Sequence, residues 1–296
     1  MNKPKILFRF LFLFFSSLAL YAEQENKDSL SEYLAEPKLS FESAYMQRAD
    51  IKDGGGSVQV TKNRLQINSS NLGFGYSNWK FDWNNIDRLP FGDGVHQPIE
   101  EMHSLNLTLS KSYRIDEKWF TLTSLSLNST FEDSPKDSYG VGIFSFASYA
   151  IESDHTIQMG LFGGYHPVRL LIFPMLSYSY RTNQKDGIQA VIGFPNTYIG
   201  YHINSDTLIR LGALFSNSLI RLSNDSPIEQ EGFAEFQDYM GSLGVTYEFN
   251  NKVKFMGDLL YALKRDLTIY NKDATELESY EIEPSAGVMF KIILKF

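Results

Sequence analysis

The 296-residue chain carries 27 Lys and Arg against 35 Asp and Glu, a net charge of −8. It therefore lacks the basic surface that nucleic-acid phosphates demand, and no nucleic-acid partner is expected. Cysteine is absent, which excludes disulfides, thiol chemistry and a lipid-attachment Cys.

Residues 1–22 read as a secretory signal. Lys3, Lys5 and Arg9 give a basic start, Phe10 to Leu20 is apolar apart from Ser16 and Ser17, and Ala22 is a small residue at the cut. Residues 23–37 are polar and read as a periplasmic tail, with one short helical stretch at 29–36. Beyond the N-terminus no apolar run reaches the roughly 18–20 residues of a membrane-spanning helix.

From Lys38 to Phe296 the pattern is period two, the signature of strands with one apolar and one polar face. Phe41 and Tyr45 open the first strand, Val58 and Val60 mark the second, and Leu72, Phe74 and Tyr76 the third. Trp79, Phe81 and Trp83 continue the third strand in the opposite phase, which predicts a bulge near Ser77. Leu105, Leu107 and Leu109 alternate with Asn106, Thr108 and Ser110 in the fourth. Ten further alternating segments follow, the last being Ser285–Phe296. Short turns are expected at 69–71, 115–118, 152–155, 183–187, 204–206 and 250–251, all rich in turn-forming residues. Long loops are expected at 84–100, 132–138, 217–237 and 266–279. Short and long connections thus alternate, as in a transmembrane barrel with both termini on the periplasmic side. Tyr113, Trp119, Tyr149, Tyr180, Tyr201, Tyr247 and Phe296 fall near one rim, and Trp83, Tyr139 and Tyr165 near the other, as two interfacial girdles would.

The predicted fold is all-β: an antiparallel up-and-down transmembrane β-barrel of 14 strands, or 12 if the brief ninth and tenth strands around Phe194-Pro195-Asn196 merge. The terminal strand resembles the closing strand of bacterial outer-membrane barrels, in which a terminal aromatic residue, here Phe296, is an assembly signal read by the barrel-assembly machinery. The region 38–296 also resembles a group of uncharacterised outer-membrane β-barrel proteins, a domain of unknown function, most closely in Gly187–Tyr201 and in Tyr76–Phe81. That resemblance implies fold and outer-membrane location and supplies no activity.

The five histidines show no metal-ligand spacing, and the His103-Ser104 pair with Asn106 lacks the phospholipase pattern. Asp87, Asp93 and His96 share a predicted outer loop and read as solvated. Neither catalytic residues, metal nor cofactor is expected. The charged positions assigned to the inward face are Glu42, Lys80, Asp82, Arg210, Glu248, Lys254, Asp258, Lys264, Lys291 and Lys295. On a lipid face each cationic one would cost about 2–4 kcal/mol near mid-bilayer, whereas a wet lumen keeps it ionised. They read either as a pore lining that sets solute preference or as ion pairs holding the wall together. The leading functional expectation is a passive channel or solute transporter, with membrane lipid and a small solute as partners. The competing one is a structural or surface-interaction barrel with a blocked lumen.

Overall fold

The computed structural model describes residues 37–181, 186–194 and 196–296. The expected signal segment and nearly all of the tail lie outside the described residues. Period-two alternation becomes fifteen strands: β1 (Lys38–Asp50), β2 (Ser57–Asn68), β3 (Leu72–Asn84), β4 (Glu101–Arg114), β5 (Trp119–Phe131), β6 (Tyr139–Ala150), β7 (His155–Tyr165), β8 (Leu170–Arg181), β9 (Gly187–Gly193), β10 (Asn196–Asn204), β11 (Thr207–Arg221), β12 (Phe233–Glu248), β13 (Val253–Tyr270), β14 (Glu276–Ile282) and β15 (Ser285–Lys295). Each of β1 to β13 pairs antiparallel with the next, and β15 pairs with both β13 and β1, so the sheet closes. β14 and β15 run along the same side of β13, interrupted at Glu283-Pro284, where Pro284 has no N–H to donate. Counted as one stave, they give a 14-stranded closed barrel. β9 and β10 stay separate, so the alternative of 12 is not realised.

Closure matters because every backbone group inside lipid needs an internal partner. The outer face supplies the matching apolar surface: Leu105, Leu107 and Leu109 of β4, Leu211 of β11, Leu259 of β13 and Val288 and Phe290 of β15 are all exposed. Such a surface on a closed barrel is a bilayer-facing one. Tyr113, Tyr201, Tyr247 and Phe296 lie exposed toward the short-turn rim, Tyr139 and Tyr165 toward the long-loop rim.

Short and long connections alternate as expected, with two corrections of length. The loop expected at 217–237 is only 222–232, and that at 266–279 only 271–275, because β11 to β14 extend well past the bilayer band. In the latter hairpin Asn271 Oδ1 accepts from the N–H groups of Asp273 (3.0 Å) and Thr275 (2.9 Å), an Asx turn that closes the hairpin tightly. The turn expected at 152–155 begins one residue earlier, since His155 opens β7.

The bulge predicted near Ser77 does not exist. β3 keeps unbroken register with β2 from Gly73 to Asn84, so Trp79, Phe81 and Trp83 face inward, opposite to Phe74 and Tyr76. The change of phase is an exchange of environments. Below Ser77 the outside of the wall is lipid and the inside is wet; above it the outside is water and the inside must be dry. β2 shows the same exchange, with Leu65 and Ile67 exposed outside but Val58 and Val60 buried inside. β13 does so too, with Leu259 and Tyr261 outside and Leu267 and Ile269 inside. Trp83, expected in the outer girdle, is 3% exposed and belongs to this inner core.

Candidate functional site

The structure places Glu42, Arg210, Glu248, Lys254, Asp258, Lys291 and Lys295 on the lumen face, because they alternate with exposed apolar residues in unbroken register. Most meet a partner of opposite charge. Lys291 Nζ lies 3.1 Å from Glu42 Oε2 across the β15–β1 seam, and Lys254 Nζ 2.6 Å from Glu248 Oε1. Arg210 reaches over β12 to grip both carboxylate oxygens of Asp258, at 2.9 and 2.7 Å. It can do so because Gly244 sits between them: a Cβ there would fall 2.0 Å from Asp258 Oδ1 and 3.0 Å from Arg210 Nε. Lys295 lies at the short-turn end and is exposed.

Three expected lumen charges face outward. Lys80 and Asp82 share the outer face of β3 with Tyr76, where Lys80 pairs with Glu101 (2.8 Å) and Asp82 with Arg48 (2.5 Å). Only a bulge in β3 would turn them inward, and β3 has none. Lys264 is turned outward by a register shift at Tyr239/Met240 that inserts Leu263, and it pairs with Asp266 at 2.8 Å.

One side of the long-loop half of the lumen is closed by a hydrophobic core. Val58, Val60, Trp79, Phe81 and Trp83 from β2 and β3 meet Ile220, Phe236, Leu260, Leu267 and Ile269 from β11 to β13, with Phe91 and Ile99 of the β3–β4 loop. Phe81 and Phe236 lie 5.1 Å apart between ring centroids, although four strands separate β3 from β12 around the wall. The tip of β11 crosses to β5, where Arg221 pairs with Phe131 and the Ser223 N–H donates to Glu132 Oε2 (2.8 Å). Burial pushes the Glu132 carboxyl upward in pKa, against the hydrogen bond from Ser223.

What remains open is a cavity of about 760 Å³ on the β2–β8 side. Ser104, Asn106, Ser126 and Asn128 form a small polar wall; Phe144, Phe162, Phe173 and Met175 form an apolar one. The third wall is the outer face of the β11–β12 tip, with Phe215, Asn217, Glu235 and Tyr239. Glu235 is 1% exposed and is held by Asn217 Nδ2 (2.7 Å), Gln237 Nε2 (3.1 Å), Tyr270 Oη (2.9 Å) and the guanidinium of Arg169 from the β7–β8 loop. Beside it, burial holds the His166 imidazole down to about 4, and the Arg169 charge adds to the effect. The stretch from His166 to Phe173 is unusually apolar for an outer loop, but nothing local marks Arg169 or Glu235 as buried charges. Lys62 and Arg64 could have been found: they alternate with Leu65 and Ile67, and Lys62 lies 4.4 Å over the Trp79 ring.

In the β3–β4 loop the exposed pair Asp93 and His96 forms a 2.6 Å ion pair. The hydrogen bond from His96 holds the Asp93 carboxyl well below the usual carboxylate range, and Asp93 in turn raises the imidazole. This is a turn-closing contact. Glu152, Asp154 and His155, at the β6–β7 turn, have ligand atoms within 4.8 Å of one another; His155 Nε2 lies 3.8 Å from Asp154 Oδ1 while its Nδ1 meets Tyr178 Oη at 2.5 Å.

No family model matches the chain, and no curated protein matches it. Among solved structures, an outer membrane channel from Pseudomonas putida F1 aligns with a TM-score of 0.44 at 9% identity, over 91% of this chain and 100% of that one. The NanC porin aligns with a TM-score of 0.39 at 12% identity, over 87% and 100% of the respective chains. The KdgM porin gives 0.37 at 10%, over 87% and 99%. No solute or mechanism is carried from likeness at this level to this chain.

Proposed function

We propose that this chain is an outer-membrane barrel, exported by its N-terminal signal and assembled through the strand that ends at Phe296, that moves small organic solutes passively across the membrane. The observation that carries this reading is the division of the lumen. The hydrophobic core shuts one side of the long-loop half, while the cavity beside it offers aromatic walls, small polar groups and room for a solute of modest size. Such a cavity favours a molecule with an apolar body and few polar groups. The paired charges deeper in the lumen hold the staves in register and balance one another. No catalytic step is assigned to any residue.

The test is uptake of N-phenyl-1-naphthylamine, an apolar dye that an intact lipopolysaccharide layer excludes, by porin-deficient cells expressing the protein. Expression is expected to speed dye uptake several-fold. Filling the cavity with Ser126→Trp or Asn128→Trp is expected to cancel the gain while heat-modifiable migration shows a folded barrel. Uptake unaltered by expression of a folded wild-type barrel would contradict the transport reading.

A further inference from the structure

The wall has a break beside this cavity. Residues 170–176 of β8 are paired with β7 alone, because β9 meets β8 only from Ser177 to Arg181. On the other side, residues 215–220 of β11 are paired with β12 alone, because β10 reaches β11 only up to Leu214. The β9–β10 hairpin is too short to fill the space above it. At about 3.3 Å per residue, some 20 Å of two strand edges face one another without a ladder between them.

On its β8 side this break lies at the level of lipid. Leu170, Ile172 and Leu176, on the outer face of the unpaired stretch of β8, are among the most exposed apolar residues of the barrel. Unpaired strand edges are costly in hydrocarbon, so a break there has to be explained by more than loop length. The space is bridged by rings. Phe162 and Phe173 lie 6.4 Å apart in the cavity, Phe173 and Phe194 6.1 Å, Phe194 and Phe215 6.1 Å, and Phe215 and Tyr239 4.9 Å. Phe194, at the tip of the short hairpin, stands between the two edges. A continuous aromatic path thus runs from lumen to outer surface.

We infer that the break between β8 and β11 is a lateral portal, gated by the Phe194 ring, through which a small apolar or aromatic molecule bearing one hydrogen-bond acceptor passes between the cavity and the outer leaflet. Two cavity-lining groups define the acceptor. His166 Nδ1 receives the Val168 N–H at 3.4 Å, which leaves the proton on Nε2, and that Nε2 is buried without a partner. Arg169 Nε, three residues on, is likewise buried without a partner. Both are donors, and a carbonyl or hydroxyl oxygen on an otherwise apolar solute would satisfy either. The portal rests on the transport reading and adds the route and the solute class.

Its test uses the cysteine-free background. Phe194→Cys and Phe215→Cys are introduced together, and the folded full-length barrel is reconstituted in liposomes containing 3-trifluoromethyl-3-phenyldiazirine, an apolar photolabel that resides in the bilayer. Before cross-linking, light is expected to label cavity residues such as Phe162 and Met175 as well as the lipid-facing Leu161 and Leu176. A short bifunctional thiol reagent across the pair is expected to lower cavity labelling several-fold and to leave the lipid-facing labels unchanged. Cavity labelling that survives cross-linking, or that never occurs, overturns the portal. Dye uptake in cells separates the two ideas: if it persists in the cross-linked barrel, the portal falls and the transport reading stands.

Discussion

Arg169 and Glu235, 66 residues apart in sequence, form an ion pair that ties the β7–β8 loop to the inward-leaning tip of β11 and β12. The pair spans the top of the break in the wall, and Glu235 is buried while Arg169 keeps 30% of its side chain in solvent. Removing the cation leaves a carboxylate with neutral donors only. Arg169→Ala is therefore expected to destabilise the barrel by about 3 kcal/mol, the low end for a broken buried pair because Arg169 is partly wet. Thermal unfolding followed by heat-modifiable migration measures it. An unchanged transition would show that Asn217, Gln237 and Tyr270 suffice to hold Glu235.

The inward turn of β3 makes a paired comparison. Phe81→Ala removes a ring stacked on Trp83 and Phe236 within the core, and is expected to cost about 3–5 kcal/mol. Lys80→Ala removes an exposed outer-face partner of Glu101 and is expected to leave stability and uptake unchanged. A large effect of Lys80→Ala on ion or solute preference would mean that it lines the lumen after all.

In the lumen the two ion pairs differ in burial, and so in consequence. Asp258→Ala strands the Arg210 guanidinium and is expected to cost about 3 kcal/mol. Lys254→Glu sets two carboxylates side by side at a wetter site and is expected to cost about 1 kcal/mol. Denaturant titration of the two variants gives the order, and equal losses would contradict it. Gly244→Ala is expected to resemble Asp258→Ala, since its methyl would displace the same carboxylate.

His166 supplies a pH dependence. Its folded pKa of about 4 lies below the ordinary 6.5, so the folded barrel takes up this proton less readily than the unfolded chain. The stability that neutral His166 contributes is complete above about 6.5 and is lost as pH falls towards about 4. The wild-type barrel is expected to lose unfolding temperature across that window, and His166→Gln to lose less. Parallel curves for the two would place the acid sensitivity elsewhere.

Fold, strand number and the short-turn rim were legible in the sequence because lipid imposes one rule on every stave: apolar outward, polar inward, with turn residues between. The rule fails where the wall leaves the bilayer. There Trp79, Phe81 and Trp83 turn inward without any backbone shift, and the pattern reads as a slipped strand when it is a change of solvent. Lys80 and Asp82 face outward for that reason, and Lys264 because one inserted residue, Leu263, reverses the faces of β13. The Arg169–Glu235 pair and the ring path through Phe194 were illegible, since both depend on strands that are far apart in sequence and meet only because one hairpin is short.

Single-channel recording in a planar bilayer, on protein shown to be folded by heat-modifiable migration, tests the closed long-loop half most directly. The wild-type barrel is expected to be electrically silent, and the Phe81→Ala/Phe236→Ala double variant to show discrete conductance steps. Long-lived, charge-selective steps in the wild type would contradict the closed core and return the lumen charges to the role of an ion-conducting lining.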